Sequence, residues 1–236
     1  MMITERQNLI LNRIIEEYID SAEPVSSQLL EKKYNFRIRP AMIRIEMQKL
    51  TDKGYLYQPH TSAGRVPTDK GYRFFVDNLL TKEVSEFEDI FEIEEILKEE
   101  REDILKWAAH LTKFLAEESS NFIILRLLKR DFLLKEGWEK ILEEPEFQEE
   151  DLIFSFTKLL ENFEENIEDL EINSGIKIYI GRENPFSKAR NFSIISSKCF
   201  FPQKEEGIIS ILVPKRMAYD RNISLINSLT KLFKEF

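Results

Sequence analysis

Residues 40–80, PAMIRIEMQKLTDKGYLYQPHTSAGRVPTDKGYRFFVDNLL, decide the fold. Pro40 suits the first position of a helix, where its missing N–H is not needed. Ile43, Met47 and Leu50 follow at helical spacing, and Gly54 ends the run. The segment YLYQ has the composition of a short strand. PHTSAGRVP is a polar loop with a proline at each side, and Thr68 is placed to cap a further helix with Tyr72, Phe75, Val76, Leu79 and Leu80 on one stripe. The order is helix, strand, polar loop and helix. It predicts a compact unit with a protruding wing.

Upstream, Thr4 with Gln7 three residues on forms a capping box ahead of Leu11, Ile14, Ile15, Tyr18 and Ile19. Glu23-Pro24 breaks that helix. Ser26 can cap a second, flanked by Val25 and Leu30, that ends near Tyr34-Asn35. Three helices in about fifty residues with short connections read as a helix-turn-helix unit. With the candidate wing, residues 1–80 are expected to form a winged helix-turn-helix domain.

If residues 40–52 bury Ile43, Met47 and Leu50, the 100° step per residue presents Ala41, Arg44, Ile45, Gln48 and Lys49 on the opposite face. Arg and Gln side chains match the major-groove edges of guanine and adenine, and an isoleucine can meet a thymine methyl. Arg37 and Arg39, just ahead of the helix, fall where flanking phosphates would lie. The loop offers His60, Thr61, Ser62 and Arg65, with Gly64 permitting close backbone approach. Arg65 is expected to enter a minor groove, with the hydroxyls holding phosphates. Helix-turn-helix units also serve as protein-interaction modules, and spacing alone leaves that reading open.

The net charge of −9 argues against nucleic acid until it is divided along the chain. Residues 1–80 carry 12 Lys+Arg and 10 Asp+Glu, residues 82–171 carry 11 and 28, and residues 172–236 carry 11 and 5, giving +2, −17 and +6. The acidic middle repels phosphate, so DNA contact is expected from a basic face outside it.

The rest of the chain reads as a second domain, residues 81–236. A long amphipathic helix, or two in series, is expected from Ser85 to about Glu118. FIILRLLKRDFLL (122–134) reads as strand or helix, because periodicity does not separate the two. Residues 82–171 are expected to be acidic and mainly helical, with His110 packed among apolar neighbours. IKIYI, FSIISSKC and IISILV, bounded by glycines and prolines, are strand-like, and a last helix carries Leu225, Leu229 and Leu232. The fold class expected is α+β, with an antiparallel sheet.

Catalysis is not expected. There is no G-x-S-x-G or GxxxxGK[ST] motif, and the carboxylates fall in helical runs without a converging partner. A single cysteine, Cys199, with His60 and His110, makes a poor zinc set, so neither metal nor cofactor is expected. No stretch approaches the roughly 18 apolar residues of a membrane span, and MMITERQNLI is too polar for a secretory signal. A cytoplasmic protein without membrane contact is the expectation.

QPHTSAGRVPTDKGYRFFVD (58–77) resembles the signature of the HrcA repressors, a specific match over twenty residues. The resemblance extends upstream through TERQNLILNRIIEEYI, EPVSSQLLEKKY and AMIRIEM. It resumes at GWEKILEEPEF (137–147), IGRENP (180–185) and GIISILVPKRMAYDRNISLINSL (207–229). It implies a homodimeric repressor that binds an inverted-repeat operator upstream of the DnaK and GroE chaperone operons and releases it on heating. It also implies a GAF-like dimerisation and regulatory domain, and the GroE chaperonin as a partner that keeps the repressor active. Two departures stand out. Arg39, Met42 and Ile45 replace the small hydroxyl and polar residues usual in the family's recognition helix. The stretch between FIILRLLK and GWEKILEEPEF lacks much of the GAF-like first half and the dimerising insertion. The resemblance therefore implies a reduced second domain. The alternative function is a protein-interaction or ligand-sensing module whose winged helix does not bind DNA.

Overall fold

A computed structural model describes residues 3–81, 93, 95, 103–170, 172, 175–186 and 188–233. The chain divides into two compact units, Met1–Lys82 and Glu83–Phe236, and its architecture is mixed helix and antiparallel sheet, α+β.

The first unit begins with α1 (Glu5–Ser21). Thr4 accepts from the backbone of Gln7, and the Gln7 side chain accepts from the backbone of Thr4, so two of the helix's orphan donors are satisfied. Ser26 caps α2 (Ser27–Lys33) through the Leu29 N–H. Pro40 opens α3 (Pro40–Asp52), which buries Ile43, Met47 and Leu50 against α1 and α2. Strands β1 (Leu56–Tyr57) and β2 (Val66–Pro67) pair antiparallel, with Leu56 opposite Pro67. Thr68 caps α4 (Asp69–Leu80), whose buried stripe is Gly71, Tyr72, Phe75 and Val76. Leu80, placed on that stripe by spacing, is exposed because it lies at the helix end.

The second unit is built on a five-stranded antiparallel sheet in the order β4-β3-β7-β6-β5. Its strands are β3 (Phe122–Leu127), β4 (Phe132–Glu136), β5 (Ile176–Ile180), β6 (Phe192–Phe201) and β7 (Glu205–Pro214). The ambiguous run at 122–134 is thus the β3–β4 hairpin, closed by a 3-10 turn at Leu128–Arg130 and by Asp131 at φ 50°. Its lack of alternation has a simple cause. β3 lies between two strands and is covered on both faces, so nearly all its residues are buried. Two of the sheet's strands therefore lie within 82–171, a stretch expected to be mainly helical, and its other described elements are helices.

Among the described residues this unit also carries helices α5 (Ile104–Ser119), α6 (Trp138–Leu142), α7 (Glu150–Asn166) and α8 (Tyr219–Leu232). Phe192 and Phe201 lie an odd number of residues apart on β6 and so point to opposite faces. Phe192 meets Phe156 of α7 at 5.2 Å between ring centroids. Phe201 meets Trp107 of α5 at 5.3 Å and Phe233, just past α8, at 5.2 Å. Helices therefore cover both faces. Of the expected long helix beginning at Ser85, the described part is α5, and residues 85–102 lie outside the described residues apart from Ile93 and Glu95. His110 is exposed on α5 rather than packed, because the buried stripe of that helix runs through Trp107, Ala108, Leu111 and Leu115. Cys199 is buried, and desolvation pushes its thiol up to about 12. Beneath α8, buried polar atoms find partners: Ser193 with the Tyr219 hydroxyl at 2.7 Å, and Asn121 with Asn222 at 3.0 Å. No described helix is long and apolar enough to cross a membrane.

Candidate nucleic-acid interface

One face of α3 is fixed by what lies beneath it. Glu46 is buried beside Ile43, Met47 and Leu50, and its carboxylate accepts from Gln7 Nε2 of α1 and from Lys49 Nζ, both at 2.8 Å. These hydrogen bonds, the Lys49 one first, hold Glu46 below the usual carboxylate range despite its burial. Lys53 Nζ reaches Gln7 Oε1 at 2.9 Å, so the α1 cap and the end of α3 form one polar cluster. With that side anchored, the opposite side of α3 faces water.

Ala41, Arg44, Ile45, Gln48 and Lys49, the five positions expected on the reading face, are all exposed. Met42 and Ile45 are large apolar side chains left open there, Ile45 at 46%. Lys49 is partly committed to Glu46 and so is tied back along its own helix. Arg37 and Arg39 are exposed in the approach to the helix. Arg37 takes φ 55°, with its N–H donating to Asn35 Oδ1 at 3.3 Å, and Arg39 is the N-cap residue of α3. Six of these positions, Arg39 to Lys49, lie on or at the start of one helix.

The hairpin loop stands beside α3. Gln58 Nε2 donates to the carbonyls of Thr61 and Ala63, both at 2.9 Å, and so braces the turn from within. At its tip His60, Thr61 and Ser62 are exposed, with His60 Nδ1 3.2 Å from Ser62 Oγ. The base of the loop is joined to the segment before α2. Val25 N donates to Arg65 O at 3.0 Å, and Arg65 N donates to Val25 O at 2.8 Å. Gly64 makes this approach possible, because a Cβ there would lie 2.4 Å from the Val25 carbonyl.

Arg65 departs from expectation. It is 9% exposed, and its side chain lies along α3 instead of extending outward. Nε donates to Thr51 Oγ1 at 3.0 Å and Nη2 to Gln48 Oε1 at 2.9 Å. Burial, with the neighbouring Arg44 charge, lowers its pKa. Its loop position led to the expectation of a minor-groove role; here the guanidinium is held by two hydrogen bonds in a partly desolvated place.

Between these elements is a cleft of about 470 Å³ lined by Ser26, Ser27, Gln28, Arg44, Gln58 and Arg65, among others. The residues at the start of α2 were not among the sequence-derived candidates. Their signal was the hydroxyl pair in VSSQ, read only as a helix cap. Two arginines, several hydroxyls and an open helix face suit a polyanion with readable edges.

The chain matches the family model described as the HrcA protein C terminal domain over residues 69–223. The candidate surface at 37–65 lies ahead of that span. Among similar proteins, the heat-inducible transcription repressor HrcA of Natranaerobius thermophilus is 28% identical over 325 aligned positions, covering 96% of this chain and 94% of the relative. That of Thermoanaerobacter pseudethanolicus is 29% identical, covering 98% and 96%. The repressor of the same name from Alkaliphilus metalliredigens reaches 57% identity over 83 residues, 35% of this chain and 24% of the relative. An alignment of 325 positions exceeds the 236 residues of this chain by 89, so the relatives carry a substantial internal length that this chain lacks. A crystal structure of a protein described only as hypothetical, at 2.2 Å resolution, superposes with a TM-score of 0.77 at 24% identity, covering 97% of this chain and 100% of the other. That likeness establishes a shared fold.

Proposed function

The chain belongs to the HrcA family, and from that premise we propose that it is a heat-inducible transcription repressor that binds an inverted-repeat operator as a homodimer. Residues 1–80 act as a winged helix-turn-helix domain, with α3 in the major groove and the β1–β2 hairpin as the wing on adjacent backbone. Arg44, Ile45 and Gln48 read base edges, while Arg37, Arg39, Lys49, Thr61 and Ser62 hold phosphates, with Ala41 and His60 on the same contact surface. Residues 81–236 form a reduced GAF-like dimerisation and regulatory domain. Two-fold symmetry in the protein matches two-fold symmetry in the operator.

The regulated genes are the DnaK and GroE chaperone operons, with GroE chaperonin as the partner that maintains active repressor in the cytoplasm. Warming releases the operator. A marginally stable repressor suffices for this, since a loss of about 1–2 kcal/mol changes the active fraction several-fold. The observation that carries the reading is the exposed row of Arg44, Ile45 and Gln48 on a helix whose other face is locked to α1. Gel shifts on the promoter region of the chaperonin operon test it. A specific complex at moderate salt is expected, weakened by about 1–3 kcal/mol in Arg44→Ala. An unchanged affinity in that variant, or no specific complex, rejects the assignment.

A further inference from the structure

Gln48 is the one reading-face side chain whose carboxamide is held at both ends. Its Oε1 accepts from Arg65 Nη2 at 2.9 Å, and its Nε2 donates to Asp52 Oδ1 at 2.8 Å. A carboxamide has an acceptor oxygen with two lone pairs and an NH2 group with two donors. Turning it over would set its NH2 against a guanidinium and its oxygen against a carboxylate, donor facing donor and acceptor facing acceptor. The pair of flanking charges therefore permits one orientation.

In that orientation each end keeps one free valence, a lone pair on Oε1 and an N–H on Nε2. Adenine offers the complement in the major groove, an N6 donor beside the N7 acceptor, whereas guanine offers two acceptors and would meet Oε1 with O6. Arg65 can serve as a fixed post because it is itself fixed. Its backbone is paired to Val25 on both sides, its Nε is bonded to Thr51 Oγ1 at 3.0 Å, and it is 9% exposed. Asp52, on the last turn of α3, completes the frame.

Resting on the reading of α3 as the DNA-reading helix, we infer that Arg65 and Asp52 are positioning residues. They set the donor–acceptor order of the Gln48 carboxamide and so make it selective for adenine at one position of each half-site. The hairpin and the reading helix are then one recognition device, with specificity at a single base passing through a residue that does not touch that base.

The test measures binding of the full-length protein to a set of operator duplexes carrying each base in turn at every half-site position. The wild type is expected to favour adenine over guanine at one position by roughly tenfold or more, and Gln48→Ala to abolish that preference. Arg65→Ala and Asp52→Ala should each reduce it to within about threefold, with preferences at the other positions unchanged. Arg65→Lys should not restore it, because one ammonium cannot hold Thr51 and Gln48 in the geometry of a planar fork. Asp52 is exposed at the helix end, so Asp52→Ala carries the test by itself if loss of Arg65 unfolds the domain. Adenine preference retained in Asp52→Ala but lost in Gln48→Ala overturns the inference and leaves the repressor assignment standing. So does an operator bound specifically with no preference dependent on Gln48. Failure of the wild type to bind any operator removes the repressor assignment and the inference together.

Discussion

Gly64 and Arg65 show how much of the surface depends on two adjacent positions. The absent side chain of Gly64 lets the hairpin close on Val25, and the present one of Arg65 then reaches Thr51 and Gln48. In Gly64→Ala the new methyl would sit 2.4 Å from the Val25 carbonyl carbon and oxygen. Backbone cannot yield as a flexible side chain would, so a destabilisation of about 1–3 kcal/mol is expected. Thermal unfolding measures it, and operator selectivity should fall in the same variant because the post that holds Gln48 shifts. A melting temperature equal to that of wild type would show that the close approach is not needed. The sequence marked Gly64 as a position allowing close backbone approach, but not that the approach is to Val25. The direction of Arg65 was not legible, because its two side-chain partners lie 14 and 17 residues away.

Among the elements, α3 is held by a charge as well as by apolar packing. Glu46 is buried and bonded to α1 through Gln7, an arrangement that a period-3.6 count of apolar residues does not reveal. Its folded-state pKa lies below its ordinary value of 4.5. The stabilisation is therefore fully present above the unfolded value and is lost as pH falls through the folded one. Glu46→Gln should lose about 1.5–3 kcal/mol at pH 7, the worth of hydrogen bonds to a charged group. Chemical unfolding at pH 7 and at pH 3 should show the gap from wild type narrowing in acid, and a gap that stays constant would contradict the ionic role. The caps of α1, α2 and α4 were readable because each rests on residues at most three positions apart. The β3–β4 hairpin was not, since a strand covered on both faces has lost the alternation that marks strands.

At the scale of the whole molecule the charge is segregated, +2, −17 and +6 along the chain, so a protein of net charge −9 can still offer DNA a local cationic face. Non-specific affinity should fall linearly on a log–log plot against salt, with a slope of about 0.9 per phosphate neutralised. In the proposed homodimer, Arg37→Ala removes one proposed phosphate contact per protomer and should lower that slope by about 2, nearly independently of sequence. Fluorescence anisotropy on random duplex across a salt series would reveal it, and an unaltered slope would remove Arg37 from the interface. By itself the sequence settled the α+β class, the capped helices of the first unit, the outward face of α3 and the family, since each is written in local spacing or in a contiguous signature. The tertiary structure alone decided that 122–136 is a hairpin within the sheet, that His110 faces outward, and that Arg65 turns back onto α3. A long side chain goes where distant partners lower its free energy most, and those partners are brought near only by folding.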